Sequence, residues 1–215
     1  MTENYLHIYA DNPTQRRTGA SLIAFGLEIL YRAKCIREIN ELKSIFEKLN
    51  RKEIYPNDNR IIDFMQEYLI DCIRILIFFE NCMKAELLVN DYCIHVINKN
   101  ANGFENLAKA QSKRPIKLEE INNIEKFLIE DQSDRINHVA LQEKTIELSK
   151  LLGSTEYTSK YTFDKSILMI VKELNKYRNR LHLNYSIDYH LSRKTIDDLE
   201  EIVQFADETS KRIKK

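Results

Sequence analysis

Thirty residues from Arg60 to Val89 leave almost no helical face without a large apolar side chain, and Ile73, Ile75, Leu76, Ile77, Phe78 and Phe79 fall within one seven-residue stretch. A helix that is apolar all round has to be covered on every side, so the segment predicts the central member of a helical bundle. Asp71 and Arg74 interrupt its most apolar part, Leu69 to Phe79, which is also shorter than the roughly 18 residues that suggest a membrane span. No membrane partner is expected. The preceding Tyr55-Pro56-Asn57-Asp58-Asn59 supplies a turn and side-chain acceptors for the N-cap of this helix.

The rest of the chain follows the same pattern. Four glycines and three prolines in 215 residues are too few for a turn-rich β sandwich or barrel. Apolar residues recur at helical spacing from Leu22 through Leu27, Leu30, Ile36, Ile39, Leu42, Ile45 and Leu49, which reads as one long helix. Ile116 to Ile129 reads as a further helix, with Glu119 and Glu120 at the positive end of its dipole. Asp134 reads as the cap of another that ends at Gly153, and Ser154 to Phe163 as a polar, aromatic loop. Asp164 then caps a helix reaching His182, and Ser192 or Thr195 begins the last. No alternating strand pattern is visible. The expected fold is all-α, a single antiparallel bundle of five to six major helices over residues 1–215, including a polar N-terminal segment, 1–17. That segment lacks the basic start and apolar run of a signal peptide. Cys35, Cys72, Cys82 and Cys93 form no C-x-x-C pair and sit in apolar helical patterns, as buried thiols do in a reducing compartment. A cytoplasmic location is the expectation.

Thirty-three basic side chains balance 33 acidic ones, which argues against coating nucleic acid through bulk electrostatics. The charge is nevertheless zoned. Lys99, Lys109, Lys113, Arg114 and Lys117 face a single acid, Glu105, between positions 99 and 117, whereas Glu119 to Asp134 is mostly acidic. Residues 98–116 read as a basic connecting loop able to steer an anion, with Lys113 and Arg114 as candidate nucleic-acid contacts.

Near the C-terminus, Ile167, Val171, Leu174, Arg178 and Leu181 recur at steps of four and three and share one stripe of a helix. Arg178 lies within about 30° of the stripe's mean direction, a core position for a group that cannot lose its charge. It therefore needs an acidic or anionic partner, or the stripe lines a cleft. His182 falls at the edge of the same stripe one turn on, and Asn179 points toward a flank. One turn thus gathers a fixed cation, an amide and a group that titrates near neutrality, the parts needed to hold a phosphate and move a proton. In the central helix, Glu80 and Lys84 fall on the line of Leu69, Ile73, Leu76, Ile77 and Leu87. Glu80 is the expected partner of Arg178, and Lys84 a further candidate phosphate contact. The histidines lack the spacing of a zinc site, there is no H-E-x-x-H, and no glycine-rich phosphate loop or serine elbow occurs. Neither a metal nor a cofactor is expected.

The stretch Glu173-Leu174-Asn175-Lys176-Tyr177-Arg178-Asn179-Arg180-Leu181-His182 resembles the signature of HEPN (higher eukaryotes and prokaryotes nucleotide-binding) domains, whose late helix carries Arg, a polar residue that is often Asn, and then His. Phe79-Glu80-Asn81-Cys82-Met83-Lys84-Ala85-Glu86-Leu87-Leu88 is similar to that family's second long helix, where an acid often precedes a Lys-Ala-Leu-Leu-like run. The resemblance implies a helical bundle and a metal-independent endoribonuclease, with Arg178 as the phosphate-stabilising cation, His182 as acid or base and Asn179 as polar helper. It also implies a homodimer with facing sites and a role as a toxin or in antiviral defence, with an antitoxin or another protein as partner. Three residues separate Arg178 from His182, fewer than the family's usual four to six. The alternative is an inactive helical binding or regulatory protein that recognises RNA, a nucleotide or a protein.

Overall fold

The structure is a computed structural model that describes residues 12–101, 103–121, 141–181 and 191–213. Its elements are α1 (Asn12–Leu30), α2 (Lys34–Arg37), α3 (Ile39–Asn50), α4 (Asn59–Val89), β1 (His95–Ile97), α5 (Glu105–Gln111), β2 (Leu141–Thr145), α6 (Leu148–Gly153), α7 (Thr155–Thr158), α8 (Lys165–Leu181) and α9 (Arg193–Ile213). Among the described residues the fold is all-α apart from the two short strands, which form one antiparallel sheet. Contacts divide the chain into two compact units. One joins Met1–Leu22 to Cys82–Thr162, the other Ile23–Asn81 to Phe163–Lys215.

In the unit built from Ile23–Asn81 and Phe163–Lys215, α4 starts where the Pro-Asn-Asp-Asn turn predicts. Asp58 Oδ1 accepts hydrogen bonds from the backbone N–H (3.0 Å) and Nε (2.9 Å) of Arg60. Those bonds lower the Asp58 carboxyl to about 2. Phe78 and Phe79 of α4, Phe163 ahead of α8 and Phe205 of α9 pack ring against ring with centroids 4.9–6.2 Å apart. Such tilted and edge-on pairs add specific geometry to apolar burial and fix these helices about one point. Gly26 of α1 meets α4 so closely that an added Cβ would lie 3.3 Å from Phe78 and Asn81, and α4 would have to give by a few tenths of an ångström to admit it. Lys43 of α3 pairs with Glu200 of α9, and Lys194 of α9 with Glu173 of α8 at 3.0 Å.

The helix expected from Leu22 to Leu49 is broken in the structure. α1 ends at Leu30, Ala33 is extended (φ −70°, ψ 124°), and α2 and α3 follow as separate pieces. The cause lies in α4. Asp71, fully buried, accepts the Cys35 N–H at 2.9 Å through Oδ2 and the Arg74 guanidinium at 2.8 Å through Oδ1, while Arg74 also donates to the Arg32 carbonyl at 3.3 Å. A carboxylate from another helix thus satisfies an orphan N–H at the start of α2.

In the unit built from Met1–Leu22 and Cys82–Thr162, the segment expected to be a helix ending at Gly153 contains strand β2. His95 pairs with Thr145 and Ile97 with Leu141, with a bulge between the two pairs. Leu141 and Ile97 reach a core shared with Cys93, Phe104, Ile116 and Ile121. Burial and strand pairing override a local sequence, Leu-Gln-Glu-Lys-Thr, that favours helix. The connection 98–116 holds the short helix α5, and its Gln111, 5% exposed, completes the edge of β1. The Gln111 Oε1 accepts the Ile97 N–H at 2.9 Å and its Nε2 donates to the His95 carbonyl at 2.7 Å. α7 stands where a loop was expected, and Ser154 caps it by accepting the Glu156 N–H at 3.2 Å. Of the expected helix Ile116–Ile129, residues 118–121 are helical, Ile116 and Lys117 precede the helical turn in extended backbone, and 122–129 lie outside the described residues, as does Asp134.

Candidate functional site

α8 runs from Lys165 to Leu181, close to the expected span, because Asp164 precedes it and its apolar residues recur at helical spacing. Ile167, Val171 and Leu174 are buried at 2%, 0% and 6% exposure, so the stripe is a core seam. Arg178 takes the next position on it and is half-buried. A half-buried guanidinium keeps its charge and can present its donor fork to a carboxylate or phosphate. Asn179 belongs to the last turn of the same helix. His182 lies outside the described residues.

Glu80 is half-buried on α4, directly after the buried Phe79. It belongs to the same unit as Arg178. The aromatic cluster of Phe79, Phe163 and Phe205 holds that stretch of α4 against the entry to α8 and against α9.

The three other candidates fall in the unit containing Cys82–Thr162. Lys84 is 7% exposed and its Nζ donates to Thr145 Oγ1 at 2.8 Å. The interior placement agrees with its position on the apolar line of α4, and the partner Thr145 lies on strand β2, which the sequence did not show. Arg114 grips Glu120 with both guanidinium arms, at 2.8 and 2.6 Å, while Glu120 also accepts the Lys117 N–H at 2.9 Å. Those bonds hold the Glu120 carboxyl below its usual range, the Arg114 hydrogen bonds being the largest cause. Lys113 is exposed, and its carbonyl accepts the Ser154 hydroxyl at 2.6 Å. The basic connection therefore divides into an arginine engaged by an acid and a lysine open to solvent.

All four cysteines are free and buried. Burial, reinforced by the Asp71 carboxylate, pushes the Cys35 thiol well up, and burial raises Cys93 to about 12 and Cys82 higher still. None of these three is a thiolate nucleophile at neutral pH. Among the described residues, no group of three His, Cys, Asp or Glu side chains is placed to hold a metal ion, and no helix is long and apolar enough to cross a membrane. A groove of about 580 Å³ between α3 and α9 is lined by Lys43, Glu200, Asp207, Glu208 and Lys211 with Val203 at its floor, and none of the sequence-derived candidates contributes to it.

Sequence reasoning counted Lys117 in the basic stretch but missed Lys160 and the tyrosine ring near both. Lys117 Nζ stands 4.3 Å and Lys160 Nζ 5.9 Å from the centre of the Tyr92 ring. The bridge between Tyr92 and Lys117 that brings them together pairs residues 25 apart, which no local pattern signals. Comparison with known protein families, with curated proteins and with solved structures finds no match to this chain.

Proposed function

We propose that the chain is a HEPN-like, metal-independent endoribonuclease that acts as a homodimer, of the kind found in toxin and antiviral-defence systems. The observation that supports this reading is the placement of Arg178: a permanent cation that continues the buried seam of Ile167, Val171 and Leu174 and is itself half-buried, with Asn179 beside it in the same helical turn. In the proposed reaction His182 takes the proton of a ribose 2′-hydroxyl. The 2′-oxygen attacks the adjacent phosphorus, the 5′-oxygen leaves and takes up a proton, and a 2′,3′-cyclic phosphate remains. Arg178 stabilises the charge that gathers on the phosphate oxygens, Asn179 contributes a hydrogen bond, and Glu80 orients the guanidinium.

The test is cleavage of RNA by purified protein in excess chelator. Arg178→Ala and His182→Ala are expected to lower the rate by about 10²–10⁴ each while circular dichroism stays unchanged. Glu80→Gln should give a smaller loss. Cleavage that survives both of the first two substitutions rejects the assignment. Absence of cleavage by the wild type, together with salt-dependent RNA binding, transfers the function to the inactive binding protein that is the alternative reading.

A further inference from the structure

Three segments of the Cys82–Thr162 stretch converge on one phenol ring. Tyr92 follows the end of α4, Lys117 opens the short helical turn at 118–121, and Lys160 follows α7. Lys117 Nζ is in cation–π contact with the ring at 4.3 Å and donates to the Asn90 carbonyl at 2.7 Å, while Lys160 Nζ stands at 5.9 Å. Among the described residues neither ammonium has a carboxylate within 4.0 Å. The acids nearby are occupied or apart: Glu86 accepts the N–H of Thr162 at 2.6 Å and its hydroxyl as well, Glu120 is held by Arg114, and Asp91 pairs with neither lysine. The platform is also stiff. The Cys93 N–H donates to the Ile116 carbonyl at 2.8 Å and the Leu118 N–H to the Asp91 carbonyl at 2.9 Å, on either side of the Tyr92–Lys117 bridge.

Two ammoniums on one ring, neither ion-paired among the described residues, repel each other, and a phosphate relieves that repulsion. The half-buried Tyr92 ring beside them adds what simple anion sites lack, an aromatic surface for a base. We infer that Tyr92, Lys117 and Lys160 form a contact site for single-stranded RNA, with the lysines on backbone phosphates and the ring against a base. The site rests on the RNA reading given above. It uses no residue of the Arg178 region, so each stands or falls by its own measurement.

The experiment is fluorescence anisotropy with a labelled 2′-O-methyl oligouridine of about 15 nucleotides, which lacks the hydroxyl that the proposed cleavage uses, titrated from low to moderate salt. Wild-type affinity should fall with salt. The double variant Lys117→Gln/Lys160→Gln should make the slope of log K against log salt shallower by about 1.4, at roughly 0.7 per lost phosphate contact. Lys117→Arg/Lys160→Arg should restore it, and Tyr92→Leu should weaken binding about tenfold at constant slope. An unchanged slope and affinity in the double glutamine variant overturn the site. So does equal competition by inorganic polyphosphate of the same charge combined with wild-type binding by Tyr92→Leu, because the site is then a simple anion site. Failed RNA cleavage combined with the expected slope change would remove the nuclease and keep the contact site.

Discussion

Asp71 and Gln111 do similar work in the two units by different physics. Each is a buried polar side chain that reaches across sequence to satisfy backbone groups that secondary structure leaves open. Asp71 does so with a charge and therefore requires Arg74; Gln111 is neutral and does so with one acceptor and one donor, matched to one N–H and one carbonyl. A charge holds its partners strongly but is costly to leave uncompensated, whereas an amide is cheaper to bury and tolerates less change of shape. The break between α1 and α2 and the edge of the β1–β2 sheet are accordingly fixed points of different kinds.

The comparison breaks most visibly at Asp71. Asp71→Ala removes a buried acceptor, leaves the Cys35 N–H unpaired and leaves the partly exposed Arg74 only the Arg32 carbonyl, and a loss of about 2–4 kcal/mol in urea unfolding is expected; a loss under about 1 kcal/mol would mean that water replaces the carboxylate. Gln111→Ala orphans one N–H and one carbonyl and should cost about 2–3 kcal/mol. Gln111→Glu, which keeps an acceptor but adds a charge with no matched cation, should be no better than alanine. The smallest effect lies at Arg114 and Glu120. The folded carboxyl of Glu120 is held below its unfolded value of about 4.3, so the pair's stabilisation is present above that pH and is lost as pH falls through the lower folded value. Both side chains are partly solvated, so Arg114→Gln should cost no more than about 1 kcal/mol at pH 7 and almost nothing near pH 2, read from unfolding curves at the two pH values.

The same contrast explains what could be read in advance. α4 and α8 were legible because their signals are local: an N-cap turn, an apolar period and a cap residue fix both within a residue or two. The same period sets Arg178 in line with Ile167, Val171 and Leu174 as a core position, whereas the residue is half-buried. The break after Leu30 was not legible, since nothing between Leu22 and Leu49 stops a helix and the determining group is 36 residues from Cys35. β2 was read as helix because its residues favour helix until Ile97 and the core claim Leu141. The apolar line of α4 already placed Lys84 inside, but its partner Thr145 sits on the misread strand, and the pairing of Tyr92 with Lys117 was hidden by its sequence separation.

Both units are discontinuous, each interrupted by a long portion of the other. The cluster that joins Phe78 and Phe79 to Phe205 closes only when α9 exists. During synthesis, then, α4 can meet α1 and α2 as it emerges, but Phe78 and Phe79 wait more than a hundred residues for Phe205. The aromatic face of α4 is therefore closed last, and slower elongation between α4 and α9 would lengthen the time it stays open.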